Sequence, residues 1–190
     1  MPLVDPNGMK LLSLLLTTGV AVALAQDAPK PAKPKGGGAM AELKNAKGEV
    51  VGKVRIAGQR GGEGVRITGE VSGLTAGEHG IHIHMTGKCE APDFASAGGH
   101  FNPTSAKHSL NTQGGHAGDL GNLKVETDGN AKIDMTVAGV TMRGDGANSL
   151  FKEGGTALVI HANPDDLKTD PAGNAGGRIA CGVISRPAQP

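Results

Sequence analysis

His82 and His84, two positions apart in Gly80-Ile81-His82-Ile83-His84, read as lying on a β-strand. Side chains alternate faces along a strand, so i and i+2 point the same way. Two imidazoles at that spacing can chelate one metal from a rigid platform. Four more histidines follow. His100 opens His100-Phe101-Asn102-Pro103, His108 and His116 come at steps of eight, and His161 ends the apolar run Leu158-Val159-Ile160. Asp119 lies three residues beyond His116. A lone histidine is ordinarily a surface or satisfied core residue. Six at these spacings, with a carboxylate among them, imply metal. They are too many for one tetrahedral ion, so two centres close together are expected, with redox chemistry at one.

The donors divide by chemistry. His82, His84, His100 and His161 offer four imidazoles, a set that favours copper over a hard cation. His100, His108, His116 and Asp119 offer three nitrogens and one carboxylate, the closed tetrahedral set of a structural zinc. His100 belongs to both, since an imidazole has two nitrogens and can bridge. Met85 and Met142 are soft donors in principle, but Met85 points away from the face of His84, and core packing is expected for both.

The rest of the chain reads as all-β. Eight short segments alternate or run apolar: 39–43, 50–56, 65–71, 80–85, 120–126, 131–137, 157–161 and 179–184. Turn signals such as Asp128-Gly129 and Gly144-Asp145-Gly146 separate them. No segment carries a helical stripe of more than two turns. The pattern predicts a sandwich or barrel. Two connections, about 87–118 and 163–177, are too long for plain turns and are expected to be functional. Gly is 32 of 190 residues and Trp and Tyr are absent, which argues against a nucleic-acid stacking platform. A net charge of +1 implies no general affinity for nucleic acid or acidic membrane.

The N-terminus reads as an export signal over residues 1–25. Lys10 precedes the apolar stretch Leu11 to Leu24, and Ala23-Leu24-Ala25 matches a small-x-small cleavage site. Met9 is read as the native start. The apolar run is too short for a comfortable membrane span, and no stable membrane anchor is expected after cleavage. Residues 26–38 form a Pro/Lys/Gly-rich linker, and 39–190 the folded domain. An exported chain meets an oxidising compartment, where Cys89 and Cys181 are expected to pair. Neither has a neighbour at metal-binding C-x-x-C spacing.

Four stretches carry a family resemblance: Gly-Ile-His-Ile-His at 80–84, Gly-Gly-His-Phe-Asn-Pro at 98–103, Gly-His-Ala-Gly-Asp-Leu-Gly-Asn at 115–122, and Gly-Asn-Ala-Gly-Gly-Arg-Ile-Ala-Cys-Gly-Val-Ile at 173–184. Over roughly residues 40–186 the chain resembles the exported bacterial copper/zinc superoxide dismutases. The resemblance implies an eight-stranded antiparallel Greek-key barrel. It also implies dismutation of superoxide to oxygen and hydrogen peroxide in a two-step redox cycle, with one copper and one zinc per chain. Copper would take His82, His84, His100 and His161, and zinc His100, His108, His116 and Asp119. His100 would also carry a proton during the cycle. Arg178 matches the family's active-site arginine, Asp165 the carboxylate that hydrogen-bonds one copper and one zinc histidine, and His79 a structural histidine. Cys89 and Cys181 match the family disulfide. The loop from Asp165 to Arg178 is short, which makes Lys107, beside His108, a candidate source of positive field. Superoxide is the expected partner, with no nucleic acid, in a monomer or homodimer located in the periplasm, cell envelope or medium. The competing class is a copper-binding or copper-delivery protein on the same fold, which would be expected to lack a ligand or the arginine.

Overall fold

The computed structural model describes residues 38–61 and 64–187. The signal and nearly all of the linker expected in the N-terminal segment lie outside the described residues. Eight strands follow one another: β1 (Ala39–Asn45), β2 (Val50–Gly58), β3 (Val65–Val71), β4 (Gly77–His84), β5 (Asp119–Val125), β6 (Ala131–Val137), β7 (Ala157–His161) and β8 (Arg178–Val183). All eight expected segments are strands. The main boundary difference is at β4, which begins at Gly77 and so takes His79 into the strand.

Every pairing is antiparallel, in the order β5-β4-β7-β8-β1-β2-β3-β6. The two end strands, β5 and β6, approach each other and nearly close a barrel. The links β3–β4 and β6–β7 each pass over two strands, the Greek-key crossing. Alternation decides which residues fill the barrel. Leu43, Val54, Ile56, Ile67, Ile81, Ile83, Ile133, Leu158 and Ile160 are buried in one core.

β4, like β7, departs from the half-buried pattern of strands β1, β2, β3 and β6. Its residues His79–His84 are all buried. Ile81 and Ile83 face the barrel core, so His82 and His84 must face outward. They are nonetheless 0 % and 1 % exposed, because the connections after β4 and after β7 fold back over that face. β7 is likewise buried throughout. A second apolar cluster of Phe94, Ala97, Ala157, Val159 and Cys181 lies under the first connection.

That connection is fastened by a disulfide between Cys89 and Cys181, as expected from the sequence. Met85 corrects one expectation. It is 46 % exposed rather than packed in the core. Its side chain lies against Gly98 of the same connection, which leaves it outside the apolar clusters. Met142 does pack against the main core.

Candidate metal centre

Strand pairing sets ligand against ligand. His82 is opposite Asp119 across β4 and β5, and His161 is opposite Arg178 across β7 and β8. An isolated bridge sets His84 opposite His100. As a result the donors gather although they span residues 82–161 of the chain. Among the described residues, two buried groups have donor atoms within 4.8 Å of one another: His82, His84, His100 and His161; and His100, His108, His116 and Asp119. These are the two sets expected from the sequence, and they share His100.

The ring contacts outside each group determine which nitrogen faces inward. His84 Nδ1 is 2.8 Å from the Gly98 carbonyl, and His161 Nδ1 is 3.2 Å from the Gly176 carbonyl. A neutral imidazole carries one N–H. With Nδ1 donating, each Nε2 bears a lone pair, and these two Nε2 atoms face each other at 3.3 Å. In those tautomers the two lone pairs repel unless a cation lies between them. His82 Nε2 is 2.7 Å from Asp165 Oδ2, and His108 Nε2 is 2.9 Å from Asp165 Oδ1. Donation there leaves both Nδ1 atoms as lone pairs. His82 Nδ1 and His100 Nε2 are buried without a hydrogen-bond partner, and His108 Nδ1 makes no hydrogen bond although Asp119 Oδ2 lies 3.0 Å away. Buried polar atoms are rarely left so, and all three belong to rings of the two groups.

The second group shows the same crowding around a carboxylate. Asp119 Oδ1 lies 2.8 Å from His100 Nδ1 and 3.1 Å from His116 Nδ1, and Oδ2 lies 3.0 Å from His108 Nδ1. The donor chemistry therefore fits two ions. Four neutral nitrogens suit copper, and three nitrogens with a carboxylate suit tetrahedral zinc.

Electrostatics keep the lone pairs free. Burial lowers the pKa of His84 to about 2, with the neighbouring rings of His100 and His161 and the Arg178 charge adding to it. Burial likewise lowers His161 to about 3, and His100 to about 4 against the opposing pull of Asp119. Burial works against the Asp119 carboxylate, but hydrogen bonds from His100 and the Ser109 N–H outweigh it and hold its pKa below the usual value. Asp165 is held lower by His82, His108 and the Leu167 N–H, again despite burial. At neutral pH a cation entering the first group does not have to displace protons from His84, His100 or His161 acting as imidazolium ions.

Around this core, each supporting residue has a definite contact. Asp165 joins the two groups by bonding one histidine of each, and Asn122 clamps its backbone through Asp165 N–H to Oδ1 at 2.7 Å and Nδ2–H to the carbonyl at 2.9 Å. Arg178 donates from Nη1 to the Phe94 carbonyl at 2.5 Å and from Nη2 to the Gly98 carbonyl at 2.6 Å. The Gly98 carbonyl thus serves Arg178 and His84 together. The Cys89–Cys181 bond ties the connection that carries it to β8. His79 Nδ1 lies 2.8 Å from the His161 carbonyl and Nε2 2.9 Å from that of Thr75, bracing the end of β7. Two contributors were not legible in the sequence. Gly173 leaves room for the Asp165–His108 contact, and Asp170 meets two histidines of the second group. The histidines they meet lie 54 to 65 residues away, so no local spacing marks them.

Known proteins agree with this geometry. The family described as copper/zinc superoxide dismutase (SODC) matches residues 50–184. Superoxide dismutase [Cu-Zn] 1 of Aquifex aeolicus is 51 % identical over 146 residues, covering 76 % of this chain and 85 % of that protein. Superoxide dismutase [Cu-Zn] of Caulobacter vibrioides is 39 % identical, covering 89 % of this chain and 98 % of that one. The crystal structure of a SOD-like protein from Bacillus subtilis superposes with a TM-score of 0.72 at 38 % identity, over 77 % of this chain and 97 % of the other. The chain belongs to the copper/zinc superoxide dismutase family, whose activity is the oxidoreductase dismutation of superoxide.

Proposed function

We propose that this chain disproportionates superoxide to oxygen and hydrogen peroxide, with one copper in the group His82, His84, His100, His161 and one zinc in the group His100, His108, His116, Asp119. One observation carries the reading. His100 presents one ring nitrogen to each group, with Nδ1 at Asp119 and Nε2 buried without a partner on the side of the four imidazoles. Copper, when bound, supplies the one-electron couple. His100 Nε2 is the ring atom placed to hold a proton between the two half-reactions. Arg178 is a fixed cation, and its two backbone acceptors keep the guanidinium beside His84 where it draws in and orients the small anion. Asp165 keeps His82 and His108 in the tautomers that leave both Nδ1 atoms free.

The test is direct superoxide decay after pulse generation, with protein loaded to one copper and one zinc per chain. Near-diffusion-limited loss proportional to copper is expected. Arg178→Ala should lower the rate roughly 10-fold at unchanged copper content, because a fixed charge in a cleft raises anion encounter by about that factor or more. Decay no faster than with denatured protein, both metals still bound, would reassign the chain to copper binding or delivery. The complete ligand set and the retained arginine favour the enzyme.

The same reading covers location. Residues 1–25 are removed on export, residues 26–38 form a linker ahead of the domain 39–190, and that domain works as a monomer or homodimer in the periplasm, envelope or medium. The disulfide supports an oxidising compartment. The mature protein's mass should correspond to a chain beginning at Gln26, and an intact N-terminus on the active protein would refute cleavage.

A further inference from the structure

Asp170 belongs to neither group of candidate ligands. It stands in the connection between β7 and β8, with its side chain 56 % exposed, yet it reaches two buried residues of the second group. Its Oδ1 accepts the His108 backbone N–H at 2.7 Å and lies 3.8 Å from His116 Nε2. The turn that presents it is built firmly. Asp166 Oδ1 accepts the N–H of Lys168 at 3.1 Å and of Thr169 at 2.8 Å. Asp166 Oδ2 accepts from the Thr169 hydroxyl at 2.5 Å and from Asn174 Nδ2 at 2.9 Å. Gly173 N–H donates to the Thr169 carbonyl at 2.6 Å. Pro171 then restricts the backbone immediately after Asp170.

The arrangement completes a pattern. His108 Nε2 is already held by Asp165, and His100 is shared between the groups. His116 is the remaining histidine of the second group, and Asp170 is the carboxylate beside its distal nitrogen. A carboxylate behind a metal-facing imidazole holds the ring orientation and raises the basicity of the inward nitrogen. Resting on the zinc assignment above, we infer that Asp170 is a positioning residue for zinc. One oxygen fixes the main chain at His108 by a hydrogen bond and, from 3.8 Å, acts on the His116 ring through its charge. The connection between β7 and β8 thereby grips the zinc-bearing segment at a second point, independent of Asp165.

The experiment compares the full chain with Asp170→Ala and Asp170→Asn. Zinc affinity is measured by chelator competition, the ligand field by the visible absorption of cobalt(II) taken up in place of zinc, and metal-free stability by melting. Asp170→Ala should weaken zinc roughly 10-fold, speed its release and alter the cobalt spectrum. The metal-free melting temperature should change little, because the side chain is largely in solvent and water can replace it on the His108 N–H. Asp170→Asn keeps an oxygen for the His108 N–H but loses the charge, so its zinc affinity should fall between the two. Equal zinc affinity in all three proteins would overturn the inference. A loss of affinity matched by an equal loss of metal-free stability would also overturn it, leaving Asp170 as a brace of the fold. Failure of the parent chain to take up zinc or cobalt at all would refute the zinc assignment itself, a result distinct from the other two.

Discussion

Gly173→Ala is expected to weaken zinc binding by up to roughly 100-fold while leaving the barrel folded. Gly173 has φ +59°, and a Cβ built there falls 1.8 Å from Asp165 Oδ1, 2.5 Å from its Cγ and 2.6 Å from His108 Nε2. The carboxylate has nowhere to retreat. Oδ2 is held by His82 Nε2, Oδ1 by the Leu167 N–H at 2.7 Å, and the backbone by Asn122. Either Asp165 leaves His108 or the connection bearing Gly173 moves outward, and both release the zinc-facing ring. The left-handed backbone adds a penalty of about 1 kcal/mol for any residue with a Cβ. Loss of such a supporting carboxylate contact lowers metal affinity by roughly 10- to 100-fold, and the steric displacement here argues for the upper end. Copper should weaken less, because His84 and His161 are oriented by the Gly98 and Gly176 carbonyls rather than by Asp165. Chelator competition for each metal, with circular dichroism to follow strand content, would check this. Zinc affinity equal to that of the parent chain would show that the connection shifts without cost, and would remove Gly173 from any part in the site.

Breaking the Cys89–Cys181 bond is expected to have the largest effect on stability. The two residues are 92 apart in sequence, and closing a loop of that length in the unfolded chain corresponds to roughly 4 to 5 kcal/mol in the chain-entropy model. Against a typical net stability of about 5 to 15 kcal/mol, that is a large fraction. The effect should extend to the site. The connection fastened by Cys89 carries the Phe94 and Gly98 carbonyls that hold Arg178, and Gly98 also orients His84. Denaturant unfolding of the metal-free protein with Cys89→Ser, Cys181→Ser and the parent should show a loss of several kcal/mol in both variants. Identical unfolding midpoints would mean that packing of Phe94, Ala97 and Val159 alone holds the connection in place.

Much of the architecture could be read from local pattern. β3, β6 and β7 run over the residues that alternation and apolar runs indicated, since a period of two along the chain is a local property. The outward yet buried face of β4 was less visible. His82 and His84 alternate correctly with Ile81 and Ile83, but only the connections folded over them explain why polar residues on that face are shielded from water. Met85 departs from the expected core packing for a related reason. Periodicity gives the direction of a side chain, and what covers it is decided by distant parts of the chain. Its exposed position beside Gly98 could not be inferred from its neighbours in sequence.

Taken alone, the sequence determined the strand content, the two donor sets sharing His100, the cysteine pair and the family. Local alternation carries the strand content, residue types and short motifs carry the donor sets and the family, and the cysteine pair, 92 residues apart, follows from there being two cysteines in the chain. The tertiary structure decided which ring nitrogen of each histidine faces inward, because that depends on carbonyls and carboxylates brought from 14 to 83 residues away. It also decided the parts played by Gly173 and Asp170. A missing Cβ matters only where another chain segment occupies its space, and an ordinary loop aspartate acquires a role only when the fold carries it to His108 and His116.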